Sequence, residues 1–379
     1  MMLFLQFIIG CLLLQYIFTV WNAAQLPKLA TMNSKNLCIS ERNPMVSILI
    51  PARNEADNIE DCLASILACS STEWDVEIIV LDDRSSDGTG RVARAIGDQR
   101  VKVMAGEDLP EGWLGKSYAC HQMVNVATGE WLLFLDADIR LKPDALEKAL
   151  AMAEAQGEGL ITGFAYQHTG TWLEKLVVPL MSFTILCHLP IPLVRTSQDP
   201  RFIAAHGGFM LIHRESYKRC GGHEAIRSNI VDDIALARAV KKAGDQVTLA
   251  DITDEAEMRM YHNASEVWKG YRKNIYAGLG RSPLILLAVL SMYMLLYVFP
   301  LVAFIFFSVT GQAAEAAWAL SASLLGIAIK RVSDASAKQS VWLCLLISVS
   351  ILCLVAIAIS SWWGSRTGQG YEWKGRRYL

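Results

Sequence analysis

Residues 1–27 of this 379-residue chain carry no charged side chain, and residues 283–329 carry one, Glu315. No feature constrains the fold more. A backbone in lipid must satisfy its hydrogen bonds internally, so such stretches are read as helices. Met1 to Trp21 is almost wholly apolar, and about 20 such residues span a bilayer. A cleaved leader opens on basic residues, whereas no Lys or Arg precedes Lys28. The pattern predicts an uncleaved anchor over 1–24. The stretch 283–329 is too long for one helix, and "SVTGQ" (308–312) marks a turn between two. Residues 341–363 form another segment, closing on Trp362 and Trp363, residue types that favour the membrane interface. The expectation is one N-terminal membrane segment and three within 282–363. A linker (25–44), a soluble middle (45–281) and a basic tail (364–379) complete the chain. These ends account for a hydrophobic content of 53% and a mean hydropathy of +0.29.

Basic residues that flank membrane segments mark the cytoplasmic side. Lys28 and Lys35 follow the first segment, and Lys269, Arg272, Lys273 and Arg281 precede the next. Residues 28–281 are therefore expected in the cytoplasm, and the protein in the cell membrane as a multi-pass chain. The tail "YEWKGRRYL" is basic too, yet three full spans would carry it outside. Glu315 makes 313–329 the weakest of the three. A net charge of −2 gives no reason to expect nucleic acid as a partner. Nine cysteines show neither C-x-x-C nor zinc-type spacing, which fits free thiols in a reducing compartment.

The middle repeats one plan three times. "MVSILIPARNEADNIEDCLASILAC" (45–69) opens with a buried-type strand, turns through polar residues and enters a helix. Ile59, Leu63, Ile66 and Leu67 fall on one stripe of that helix. "VEIIVLDDRSSDGTGRVARAI" (76–96) and "EWLLFLDADIRLKPDALEKALAMAEA" (130–155) do the same, the latter with Pro143 at a helix start. Alternating strands and helices predict an α/β fold with a mostly parallel sheet. Ligands of such sheets bind beyond the carboxyl ends of the strands. Those ends are Arg53-Asn54-Glu55, Asp82-Asp83 and Asp136-Ala137-Asp138, which converge on one cleft. Neither G-x-G-x-x-G nor G-x-x-x-x-G-K-[ST] occurs, so phosphates are not cradled by a glycine loop. Asp136 and Asp138 share one side of a strand end, and two carboxylates suit Mg²⁺ or Mn²⁺ bridging the diphosphate of a nucleotide substrate.

The stretches "ILIPARNEADNI", "IIVLDDRSSDGT", "GKSYACHQMVNVATGEWLLFLDAD", "HGGFMLIHRESYKRCGGH" and "VDDIALARAVKKAG" together resemble the family-2 glycosyltransferases of GT-A fold, a Rossmann-like architecture. The resemblance covers about 46–245. It implies that Pro51, Ala52, Glu55 and Asp83 line the pocket for the donor's base and ribose. Lys116 would lie near the donor, Asp136 would serve both donor and metal, and Asp138 would be a metal ligand. Asp233, with Asp232 beside it, would be the catalytic base. "EGWLGKSYACHQ", "GGHEAIRSNIVDDIALA" and "YEWKGRRY" are similar to the membrane-bound branch that glycosylates carotenoid acids, and to the hopene-associated enzymes. That resemblance implies a UDP-sugar donor, UDP-glucose by default, and a lipid acceptor. The family's Q-x-x-R-W motif is replaced here by "WKGYRKNIYAG" (268–278).

Asp232 and Asp233 also read as the capped start of a helix. As a base, Asp233 favours a hydroxyl acceptor, because a carboxylic acid is already ionised at neutral pH. "LVVPLMSFTILCHLPIPLV" (176–194) is apolar but broken by Pro179, Pro190 and Pro192. A span there would put Asp138 and Asp233 on opposite sides, so an interfacial or re-entrant segment is expected, with a core helix as the alternative. His206, Gly207, Gly208 and His223 are placed on the acceptor side. Two other functions compete with lipid glycosylation: a processive polysaccharide synthase, and an inactive lipid-binding scaffold.

Overall fold

The computed structural model describes residues 1–32, 45–69, 75–367, 371–373 and 376–378. Lys35 and most of the expected linker, and Lys374 and Gly375 of the tail, lie outside the described residues. The helices, in chain order, are α1 (Met2–Ala24), α2 (Ile59–Cys69), α3 (Thr89–Ala95), α4 (Gly115–Val126), α5 (Ala145–Gln156), α6 (Trp172–Val177), α7 (Leu180–His188) and α8 (Ile191–Thr196). They continue as α9 (Arg214–Arg219), α10 (Gly222–Ala225), α11 (Asp232–Lys242), α12 (Ala264–Gly278), α13 (Pro283–Tyr293), α14 (Phe299–Val309), α15 (Ala313–Ser336) and α16 (Ile347–Arg366). The chain divides into two compact units. One comprises Leu26–His168 and Ile191–Met260; the other comprises Met1–Gln25, Thr169–Pro190 and Tyr261–Leu379.

The first unit is built on strands β1 (Val46–Ala52), β2 (Val76–Asp82), β3 (Val101–Ala105), β4 (Trp131–Leu135), β5 (Ile139–Leu141), β6 (Gly159–Phe164), β7 (Tyr166–Gln167), β8 (Phe209–His213), β9 (Gln246–Asp251) and β10 (Ala256–Met258). Seven form one sheet in the order β3-β2-β1-β4-β8-β6-β9. Its pairs are parallel except where β8 lies antiparallel between β4 and β6. β5, β10 and β7 form a small second sheet. β1 and β4 are apolar on successive residues because helices cover both faces of a parallel sheet. The stripe Ile59, Cys62, Leu63 and Ile66 of α2 is buried, and Glu60 and Asp61 in its first turn complement the helix dipole.

β2, β1 and β4 lie side by side and run in one direction, so their polar carboxyl ends form one edge. At the opposite end of the strands, Glu77 of β2 fastens three neighbours. Its carboxylate accepts from Ser47 Oγ of β1 (2.7 Å), from Thr128 N (2.6 Å) and Oγ1 (2.7 Å) ahead of β4, and from Lys102 Nζ of β3 (3.1 Å).

The second unit is helical. Four of its segments are long and apolar enough to cross a membrane: Met2–Ala24, Pro283–Val309, Ala313–Ser336 and Val341–Arg366. α1 and α14 pack against α15, with Leu5, Ala303, Phe307, Ala316 and Ala319 in one cluster. Between α13 and α14 the backbone loosens into a π-helical turn, Met294–Val298. Pro300 lacks an N–H and its ring crowds the preceding turn. Ser348 Oγ then donates to the carbonyl of Tyr297 (2.6 Å), the kind of repair that a bent helix needs in lipid. α6 and α7 belong to this unit, which takes the apolar run 176–194 as far as Pro190; Ile191 onward belongs to the first unit. Asn22 of α1 donates to the carbonyls of Leu186 (2.9 Å) and Leu189 (2.7 Å), and His188 Nε2 meets the hydroxyl of Tyr293 (2.8 Å). Lys330 and Asp334, one turn apart on α15, form a buried ion pair. β11 (Tyr371–Trp373) and β12 (Arg376–Tyr378) pair antiparallel near the chain end.

Candidate active site

The site grows from the loops that follow β1, β2 and β4. Asp83 N donates to Ala52 O (2.8 Å), tying the first two ends together, and Arg53 Nη1 donates to Asp83 O (2.6 Å). Asn54 and Arg84 adopt positive φ, 52° and 57°, a conformation that costs non-glycine residues energy and gathers at functional loops. Side chains lock these turns. Asn54 Oδ1 accepts from Ser86 N (2.9 Å), Asp82 Oδ1 from Ser85 N (3.0 Å), and Thr89 Oγ1 from Glu55 N (2.8 Å). Asn tolerates the left-handed region, so Asn54 carried a sequence signal; Arg84 carried none.

Beyond β4, Lys116 from the first turn of α4 places its Nζ 2.6 Å from Asp136 Oδ1. The same ammonium donates to Gly207 O (3.5 Å), and Gly207 N donates to Asp233 Oδ2 (3.0 Å). Asp233 Oδ1 also accepts from Ile234 N (2.7 Å). Lys116, Asp136, Gly207 and Asp233 are thus one contact chain, assembled from four separate segments. Asp232 and Asp233 both lie in the first turn of α11, after Val231. Burial, followed by the charge of Asp232, raises the pKa of Asp233 above the carboxylate range. Burial opposes the Lys116 ammonium, but Asp136 and Asp232 outweigh it and raise its pKa, so it stays charged.

Pro51, Ala52 and Asp83 sit on the β1–β2 edge, and Glu55 Oε2 holds Asn58 Nδ2 (2.9 Å) at the entry to α2. Ala137 is buried between Asp136 and Asp138. Arg140, unremarked in the sequence, braces this loop by donating to the carbonyls of Ala137 and Ile139 (3.0 Å each). His206 is buried, with Nδ1 accepting from Gly208 N (3.3 Å) and its ring against Phe164. Burial, the largest influence, pushes its pKa down to about 4. His223 lies outside the contact chain, packed on Phe134 and sharing a hydrogen bond between Nδ1 and Tyr217 OH (3.0 Å). Burial pushes it to about 4 as well, so both rings are neutral at physiological pH. Cys62 is buried beneath Asp136, its thiol pushed up to about 12 by burial; it is no nucleophile.

Do these residues suit a metal? Among the described residues no three His, Cys, Asp or Glu side chains gather into a protein-only metal cluster. The site offers the carboxylates of Asp136 and Asp138, and Asp136 already holds a cation, the Lys116 ammonium. Two hard oxygen donors, with substrate phosphates completing the shell, is the usual protein share for Mg²⁺. The donor set fits.

Residues 47–221 match the profile of Glycosyl transferase family 2. The chain is 31% identical over 250 residues to a 4,4'-diaponeurosporenoate glycosyltransferase of Staphylococcus aureus strain N315, covering 65% of this chain and 64% of the relative. The homologue of strain USA300 is 32% identical over 239 residues, 62% of each chain. The match thus spans just under two thirds of these relatives' length. Among solved structures, the mannosyltransferase PcManGT from Pyrobaculum calidifontis, in complex with GDP-Man and Mn²⁺, superposes with a TM-score of 0.55 at 16% identity, over 95% of this chain and 98% of its own. At that identity the likeness speaks for the fold. Residues 47–221 are thus similar to the glycosyltransferases of family 2, and the fold is of the GT-A kind.

Proposed function

We propose that this protein transfers a sugar, glucose from UDP-glucose, onto a membrane lipid acceptor of isoprenoid type, with inversion at the anomeric carbon. One observation carries the reading: a desolvated carboxylate, Asp233, is joined through Gly207 and Lys116 to the acidic strand end at Asp136. A carboxylate suited to act as a base and a cation are therefore held in one contact chain. The donor's base and ribose lie along Pro51, Ala52, Glu55 and Asp83. Asp136 and Asp138 would hold Mg²⁺ or Mn²⁺, which when bound would neutralise charge on the leaving diphosphate. Asp233 takes the proton from the acceptor hydroxyl as its oxygen attacks the anomeric carbon, and the nucleoside diphosphate departs. Gly207 N fixes the carboxylate, and Lys116 keeps a positive charge beside the donor.

A hydroxyl acceptor fits this base. An alcohol has a pKa near that of water, about 16, and requires deprotonation; a carboxylic acid, with a pKa of about 4, does not. The curated relatives are named for a carotenoid carboxylate. His206, Gly207 and Gly208 face the acceptor, with His223 as support behind them. Helices long and apolar enough to cross a membrane support a cell-membrane location, and the basic residues at their flanks support a cytoplasmic catalytic domain.

The test is nucleoside diphosphate release by the detergent-purified chain. The assay supplies UDP-glucose, Mg²⁺ or Mn²⁺, and lipid extract split into carotenoid alcohols, carotenoid acids and hopanoids. Release that depends on one lipid fraction, and that is lost in Asp136→Asn and on chelation, is the expected result. Release from UDP-glucose that no lipid fraction stimulates would refute the acceptor class, and absence of nucleotide-sugar binding would refute the activity.

A further inference from the structure

Val341–Arg366 is apolar and long enough to cross a membrane, yet both of its ends lie at one face of the helical unit. That face is defined by a hairpin. α14 and α15 are antiparallel about Thr310–Gln312: Ala303 and Phe307 pack with Ala316 and Ala319 near the turn, and Tyr297 lies against Gly326 farther along. The start of α13 and the end of α15 therefore share the face opposite the turn. α1 runs parallel to α15, with Leu5 beside Ala316 and Ala319, and Ile8 and Leu12 clustered with Ala322 and Ile329. Its C-terminus reaches the same face.

The last segment begins there. Gln339 N donates to Asp334 O (2.8 Å) in the final turns of α15, and Trp342 packs edge-on against Trp172 of α6, with ring centroids 5.6 Å apart. It reaches inward as far as Tyr297, whose carbonyl takes the Ser348 hydroxyl. It then returns. Ala358 and Trp362 cluster with Tyr276, Leu286 and Leu290, at α12 and the opening turns of α13. Ser361 Oγ accepts from Tyr276 N (3.2 Å) and donates to Arg272 O.

We infer that Val341–Arg366, a 3-10 stretch (Val341–Leu346) followed by α16, is a re-entrant segment lodged in a single leaflet, and that the chain crosses the membrane three times, by α1, α13–α14 and α15. Charge agrees independently. Arg272, Lys273 and Arg281 precede α13, and Lys330, Arg331 and Lys338 surround the end of α15. Neither Lys nor Arg occurs before Lys28 or between Arg281 and Lys330. Among the described residues of this unit the turn face is therefore free of basic residues, and the other face is rich in them, as the positive-inside rule requires. Three crossings place Arg366 and the basic tail on the rich face. Four would place them opposite. The surface that meets lipid is visible as well. Trp342, Leu345, Val349, Leu352, Ala356, Ile359 and Trp363 are exposed at alternating three- and four-residue spacing and make one apolar edge, while Ser348, Ser361 and Gly364 are buried against protein. This edge fits the acyl layer of the leaflet on the basic face.

The test uses the full chain in sealed right-side-out and inside-out membrane vesicles. One form carries an N-terminal epitope and another a C-terminal epitope, each exposed to external protease. The inference predicts that the two epitopes are cleaved in opposite vesicle types. Cleavage in the same vesicle type would overturn it. A Gln312→Cys variant, labelled by an impermeant maleimide and compared with the parent chain, provides a second reading. Its label is expected in the vesicles that spare the C-terminal epitope, and label in the vesicles that lose it would also overturn the inference.

Discussion

At the residue scale, the site turns on Asp233 and the glycine that holds it. Its carboxyl is raised above the ordinary range by burial and by Asp232, which brings a base nearer to working pH. A base must be ionised. Turnover is therefore expected to fall as pH drops through a value above the usual carboxylate pKa of about 4, while donor binding changes little. A kcat–pH profile with no acid limb above that value would contradict the assignment. A Cβ at Gly207 would stand 3.1 Å from Lys116 Nζ and 3.5 Å from Asp233 Cβ, close enough to displace the ammonium by a few tenths of an ångström. Gly207→Ala should lower turnover by roughly ten- to a hundredfold through displacement of reacting groups, with the thermal midpoint retained. Equal turnover would remove Gly207 from the machinery. Asp136, Asp138, Lys116 and Asp233 were each legible as residue types in a motif. The contacts that join Lys116 to Asp136 and, through Gly207, to Asp233 were not, because the segments that carry them are far apart in sequence.

At the element scale, the strand–acidic turn–helix repeats were legible because buried parallel strands are continuous apolar runs with polar ends. Helix limits were less so: Pro143 precedes α5, which opens at Ala145. The Glu77 staple left no trace in the sequence, since an acid inside an apolar strand declares no partner. Burial disfavours its ionised form, but hydrogen bonds from Ser47, Thr128 and Lys102 outweigh burial and lower its pKa from 4.5 to about 2. A depressed pKa contributes stability that is present above the unfolded value and lost as pH falls through the folded one. Thermal unfolding followed by circular dichroism should thus show this contribution fading between about pH 4.5 and 2. Glu77→Gln should cost roughly 2–3 kcal/mol at neutral pH, as expected for loss of charge-assisted hydrogen bonds in a buried site. Equal stability of variant and parent at neutral pH would show that the staple is not structural.

At the scale of the whole molecule, the apolar segments were legible by length and composition, and all four appear as helices. Composition could not show how each lies. A helix that crosses and a helix that returns have the same hydropathy; packing partners such as Trp172 and Tyr276 separate them. The apolar run 176–194 likewise took its meaning from its neighbours. α6 and α7 fold with the membrane-type helices, although the motifs on either side of them belong to the catalytic domain. The two units are thus interleaved along the chain, and the residues of the proposed transfer all belong to one of them.

The central claim is that Asp233 is the base of a glycosyl transfer carried out in that unit. The most direct measurement compares UDP-glucose binding in the presence of Mn²⁺, by calorimetry, with lipid-dependent nucleoside diphosphate release, in the parent chain and in Asp233→Asn. The account predicts unchanged donor affinity and turnover lowered about 10²–10⁴-fold. Full turnover in Asp233→Asn, or donor affinity lost in step with turnover, would contradict it.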